Sequence, residues 1–165
     1  MKKLISLLLV LGLAFAFTAC GDDENPTGGD TTVADEAWVG TWLSADADVA
    51  PLLVAIFNYD SVRVQMKSDN TVILDSHVKD GAWSTLNGTY TVTKSASGSV
   101  HTIKLVYAAF EQEGIIEIIT GTPNQLKLEA VQTNPDIGAT PRTPATGFGS
   151  DATLGTANIQ VYKKQ

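Results

Sequence analysis

Val62-Arg63-Val64-Gln65-Met66-Lys67-Ser68-Asp69-Asn70-Thr71-Val72-Ile73-Leu74 is the stretch that decides the fold. Val62, Val64 and Met66 alternate with Arg63, Gln65 and Lys67, the two-residue period of a strand with one buried face. Ser68-Asp69-Asn70 follows, with side chains that bond nearby backbone and accept left-handed geometry, so the chain turns there. A second strand, read from Thr71 to Lys79, sets Val72, Leu74 and Val78 on one face. Strand, tight turn and strand make an antiparallel hairpin.

The same pattern extends in both directions. Trp38 to Leu43 reads as the first strand. Between it and the hairpin, Val49, Leu52, Leu53, Ile56 and Phe57 fall at helical spacing within Asp48 to Tyr59, with Asp48 as the cap and Pro51 tolerated in the first turn. After the hairpin, Asp80-Gly81 turns the chain into a long strand, Ala82 to Lys94, read as one bent strand with a bulge at Gly88. Further strands are read over Val100 to Ala109, Ile115 to Thr120 and Leu126 to Ala130. A long connection rich in proline and glycine, Asn134 to Gly155, precedes a last strand, Ala157 to Lys164, expected to bury Ile159 and Val161. Loops longer than about 12–15 residues are uncommon within a domain and tend to be functional or disordered. Eight strands joined mostly by short turns predict an all-β fold, an antiparallel up-and-down meander barrel with one short helix after the first strand. Closure would remove the unpaired edges that invite aggregation. A shallow barrel or sandwich without a deep calyx is the competing architecture.

The amino-terminal stretch has a different character. Lys2 and Lys3 precede an apolar run, Leu4 to Phe17, that ends in Phe17-Thr18-Ala19-Cys20. A charged start, a short apolar segment and small residues before a cut form the layout of a secretory signal peptide. The run falls short of the roughly 20 apolar residues that a spanning helix needs. With a cysteine directly after the cut, the segment resembles the lipobox of bacterial lipoproteins, with Phe17 standing where the family usually has leucine. The resemblance implies removal of residues 1–19, a diacylglyceryl group on the Cys20 thiol and acylation of the new amino terminus. The chain then divides into a signal peptide (1–19), an acylated cysteine with a disordered acidic tether (20–36) and a β domain (37–165). Gly21 to Asp30 holds no apolar residue able to join a core. Asp22-Asp23-Glu24 also resembles the acidic signal that carries some Gram-negative lipoproteins to the cell surface, and a solvated spacer is the alternative reading.

Charge and cysteine content bound the partners. The net charge is −7, and losing Lys2 and Lys3 deepens it. An acidic protein is repelled by nucleic acid and by anionic lipid surfaces, so lipid chains and not charge would hold it at a membrane. Cys20 is the only cysteine, which leaves no disulfide or cysteine-based metal site within the chain. The lipobox resemblance implies a place in the cell envelope, where the protein is expected to be lipid-anchored at the outer membrane, on its periplasmic or cell-surface face.

Within the β domain, Gly40-Thr41-Trp42 is similar to the Gly-x-Trp signature of lipocalins, and Gly88-Thr89-Tyr90-Thr91-Val92 resembles a strand of bacterial lipocalin-like lipoproteins. The likeness extends over roughly Trp38 to Lys164. The carboxy-terminal arginine that covers the lipocalin tryptophan has no counterpart, and Lys163 or Lys164 stands nearest to its place. The resemblance implies a barrel that holds a small apolar ligand. Trp42, Trp83, Tyr90 and Tyr107 are the aromatic residues expected to touch it, beside Trp38 and Phe57. Phe148, in the long connection, is read either as a plug for the barrel mouth or as a surface contact. Small eight-stranded barrels have little more room than their own side chains occupy. A structural or interaction lipoprotein with a filled core is therefore the alternative function.

Other constellations give weaker chemistry. Asp75-Ser76-His77 lies on a strand, where Ser76 points away from the other two, and no Gly-x-Ser-x-Gly elbow exposes a nucleophile. His77 and His101 lack metal-ligand spacing, and the Asp residues lack EF-hand spacing. Glu111 and Glu113 are read as flanking a turn, and Glu117 and Glu129 as sharing an outer face with Lys127. The chain is expected to be a non-enzyme without cofactor or metal.

Overall fold

The structure, a computed structural model, describes residues 36–165. The expected signal segment, the expected lipidation site Cys20 and nearly all of the tether lie outside the described residues. Eight strands follow one another: β1 (Gly40–Ala45), β2 (Tyr59–Met66), β3 (Thr71–Val78), β4 (Trp83–Thr93), β5 (Val100–Tyr107), β6 (Glu111–Ile119), β7 (Gln125–Asn134) and β8 (Gln160–Lys164). Each pairs antiparallel with the next, and β8 returns to β1 through Trp42↔Lys164 and Leu43↔Lys163, which closes the barrel. One helix, α1 (Pro51–Phe57), stands between β1 and β2.

Cross-strand pairing aligns the alternating faces. Val64 opposes both Trp42 and Leu74, and Leu74 opposes Leu86, so the apolar sets of four strands meet inside. In the β2–β3 turn Asn70 takes the left-handed conformation (φ 65), while the Asp69 carboxylate accepts the Thr71 backbone N–H at 2.9 Å. A short polar side chain that bonds locally lowers the cost of that geometry.

Several boundaries differ from the sequence reading. Trp38 is not in β1 but in the turn before it, although it is buried. α1 starts at Pro51, whose ring presets the helical φ, and stops where Asn58 turns left-handed (φ 56). Asp48 does not cap it: its carboxylate meets Lys163 Nζ at 2.6 Å, and Ala50 occupies the cap position. β4 is a single strand, but its pairing with β3 and β5 runs through Gly88 without a bulge. A Cβ on Gly88 would run into the Val106 carbonyl oxygen and the Tyr107 ring, so the glycine permits a close approach of strands. β6 begins at Glu111, not Ile115. Glu111 and Glu113 lie within the strand, and both reach Lys104 on its neighbour, at 2.7 and 3.2 Å. β8 has the opposite facing to that expected: Gln160 and Tyr162 are buried, whereas Ile159 and Val161 are only partly so.

Candidate functional site: the barrel interior

One end of the barrel is filled. Trp42 is 0% exposed, and its indole Nε1 donates to the Trp38 carbonyl at 2.8 Å. Of the two carboxy-terminal lysines it is Lys164 that lies over this ring, with Nζ 5.2 Å from the centroid. Tyr90 belongs to the same end, where its hydroxyl donates to the Lys67 carbonyl at 2.7 Å. Met66 and Val72 complete the packing, both buried.

Toward the other end the interior is hollow. A cavity of about 330 Å³ is bounded by Val62, Val64, Met66, Leu74, Leu86, Ile103, Leu105, Ile116, Leu126 and Leu128, with Tyr107, Phe110, Leu53 and Phe57 toward the mouth. That volume lies at the lower end of the range for small-molecule sites, about 300–1,000 Å³. The mouth faces α1, since the lining residues Phe57 and Leu86 are 50% and 40% exposed. Gly114 and Ala130 oppose each other inside and keep this part of the wall thin. A Cβ on Gly114 would overlap the Glu129 carbonyl and the Ala130 backbone.

The polar lining comprises Ser76, Ser84, Gln112, Gln132, Asn158 and Gln160, beside Tyr59, Tyr107 and Tyr162. Gln132 Nε2 donates to the Pro135 carbonyl, Asn158 Nδ2 to the Ala130 carbonyl, and Ser84 Oγ to the Ser76 carbonyl. Gln160 differs. Its Oε1 accepts the Ala50 backbone N–H at 2.7 Å, and its Nε2 is buried without a partner. Burial raises the phenol of Tyr107 above its usual range. It raises that of Tyr162 too, helped by the neighbouring Tyr107, so both remain neutral. Among the described residues, no Lys, Arg, His, Asp or Glu side chain lines the cavity.

The structure separates the aromatic residues singled out from the sequence. Tyr107 lines the cavity, while Trp42 and Tyr90 pack the filled end. Trp83 lies on the outer wall, 46% exposed, against the His77 ring and under the Arg63 guanidinium. Phe148 does not plug the mouth. It sits beneath Lys127 Nζ, 4.3 Å from the ring centroid, because the long connection folds over the outside of β7. There Gly149 N–H donates to the buried Glu129 carboxylate at 2.7 Å. Phe57 does line the cavity, and Gln160, Tyr162 and Phe110, which the sequence reading did not single out, join it. Only the inward parity of β8 and the turns at the mouth would have signalled them.

The Asp75-Ser76-His77 trio does not converge. Ser76 lines the interior, while Asp75 binds Arg63 and Thr85 and His77 binds Asp60 at 2.6 Å on the outer wall. The Asp60 carboxylate raises the His77 pKa through their hydrogen bond, and His77 in turn lowers that of Asp60. Among the described residues no group of three His, Cys, Asp or Glu side chains is placed to hold a metal ion. No known protein family, curated protein or solved structure matches this chain.

Proposed function

We propose that this chain is an envelope lipoprotein, anchored through acylated Cys20, whose lipocalin-like barrel carries a small apolar ligand. The observation that carries the reading is the cavity of about 330 Å³, walled by aliphatic side chains within a closed barrel. Filling such a space with a ligand returns the dispersion contacts and buried apolar area that an empty interior forgoes. The likeness to lipocalins is strengthened by Lys164, which covers Trp42 at the filled end as an arginine does in that family. Lipid attachment would supply anchorage that the acidic surface does not, with two or more chains giving lasting retention.

The competing reading is an interaction lipoprotein without a ligand. It is favoured by the exposed apolar rim of Val54, Ile56, Phe57 and Trp83. Native mass spectrometry of the protein purified from its own membranes separates the two. A co-purifying small molecule, lost on denaturation, is expected for the carrier. A mass accounted for by polypeptide and acyl chains alone, with no binding of added apolar probes, would overturn it.

A further inference from the structure

Part of the polar wall is already engaged: Ser84, Gln132 and Asn158 donate to backbone carbonyls, and Gln160 holds the Ala50 N–H. Tyr107 and Tyr162 are not. They line the cavity at 6% and 3% exposure, and their hydroxyls have no hydrogen-bond partner among the described residues. The buried side-chain atoms there with neither surface nor partner are Ser44 Oγ, Thr133 Oγ1 and Gln160 Nε2, so the two hydroxyls keep some surface. On side chains so deeply placed, that surface faces the cavity. The two phenols are neighbours, and burial keeps both neutral. Gln112 lines the same space with an amide that has no partner either. Leu105 stands opposite Gln112, which makes Tyr107 its diagonal neighbour on the inner face. The Ser76 and Tyr59 hydroxyls are also unengaged, Tyr59 at the mouth against Phe57. Phenol, alcohol and carboxamide share one property: each both donates and accepts. With no cationic side chain in the lining, an ionised carboxylate would enter a low-dielectric space without a countercharge, which is strongly unfavourable.

Resting on the carrier reading, we infer that the ligand is an uncharged apolar molecule with a hydroxyl head, seated against Tyr107, Tyr162 and Gln112. A hydroxyl accepts from one of these groups and donates to another, while the tail lies along Ile103, Leu105 and Leu126. Size follows from the volume: a cavity of about 150 Å³ holds benzene, so this one takes on the order of a dozen non-hydrogen atoms.

Equilibrium dialysis of the full chain in sealed cells against 1-octanol, octane, 2-octanone and octanoate at neutral pH tests the inference. Partition of each neutral probe from water into hexadecane sets the baseline, since that solvent offers the hydroxyl no partner. The octanol-to-octane affinity ratio should exceed this baseline about tenfold or more, and octanoate should bind least. Tyr107→Phe and Tyr162→Phe remove only the hydroxyls. Each should lower octanol affinity about three- to tenfold, as loss of one hydrogen bond predicts, with a smaller change for octane. Neither loses a bond made in the ligand-free protein, so the Tm should not fall. An octanol-to-octane ratio at the baseline, equal losses of octanol and octane in the variants, a larger excess for 2-octanone, which cannot donate, or tighter binding of octanoate than of octanol would overturn the inference and leave the carrier reading standing. Binding of none of the probes would overturn the carrier reading itself. Should the variants not fold, the comparison on the parent chain still decides.

Discussion

Replacing Trp42 with Phe should weaken the barrel without weakening its ligand site. Trp42 is wholly buried, donates to the Trp38 carbonyl and lies under Lys164, yet it is not among the residues that bound the cavity. Phenylalanine keeps an aromatic ring but removes the indole donor and leaves a small gap. Loss of one buried hydrogen bond with partial loss of packing amounts to about 2–3 kcal/mol. For a domain of this size that is roughly 6–15 °C in Tm. Thermal and urea unfolding followed by far-ultraviolet circular dichroism reads the change without relying on tryptophan emission. A parallel dialysis with an apolar probe below the transition should give an affinity within about threefold of the parent's, since Trp42 does not bound the cavity and adjoins it only through its cross-strand neighbour Val64. An unchanged Tm, or a tenfold loss of probe affinity at parent stability, would refute the division of the barrel into a filled end and a hollow end.

Three other outcomes are expected. His77→Gln should flatten the pH dependence of stability: His77 is raised from 6.5 and Asp60 lowered from 3.8, so their pairing contributes between those values. The His77 contribution fades as pH rises through its folded pKa and that of Asp60 as pH falls through its own, which urea midpoints across pH 3 to 9 would reveal. Gly114→Ala should lower the urea midpoint by an amount equivalent to about 1–3 kcal/mol or more, because the added Cβ meets backbone of β7 that cannot rotate aside. Cys20→Ala should abolish acylation and release the protein from membranes, seen as a loss of detergent-phase partitioning together with a changed processed mass.

What the sequence determined by itself is the strand content and the order of the barrel. The two-residue alternation at Val62, Val64 and Met66, the Asp69-Asn70 turn and the short connections are local properties, set by backbone sterics and by which neighbours share a face. They suffice for a meander of eight strands and for one short helix after the first. The composition of the cavity is not local. Ile159 and Val161 look as fit for burial as Gln160 and Tyr162, and only the pairing of β8 with Leu126 and Leu128 turns Tyr162 and Gln160 inward. Likewise Glu111 to Glu113 carry no apolar alternation, and become a strand because Lys104 and the facing residues of β7 satisfy them. Trp83 reads as a core residue and lies outside because it shares a face with His77 and Arg63. Strand propensity belongs to each residue and its neighbours in sequence. The face it presents belongs to the partner strand, and the partner is chosen only when the barrel closes.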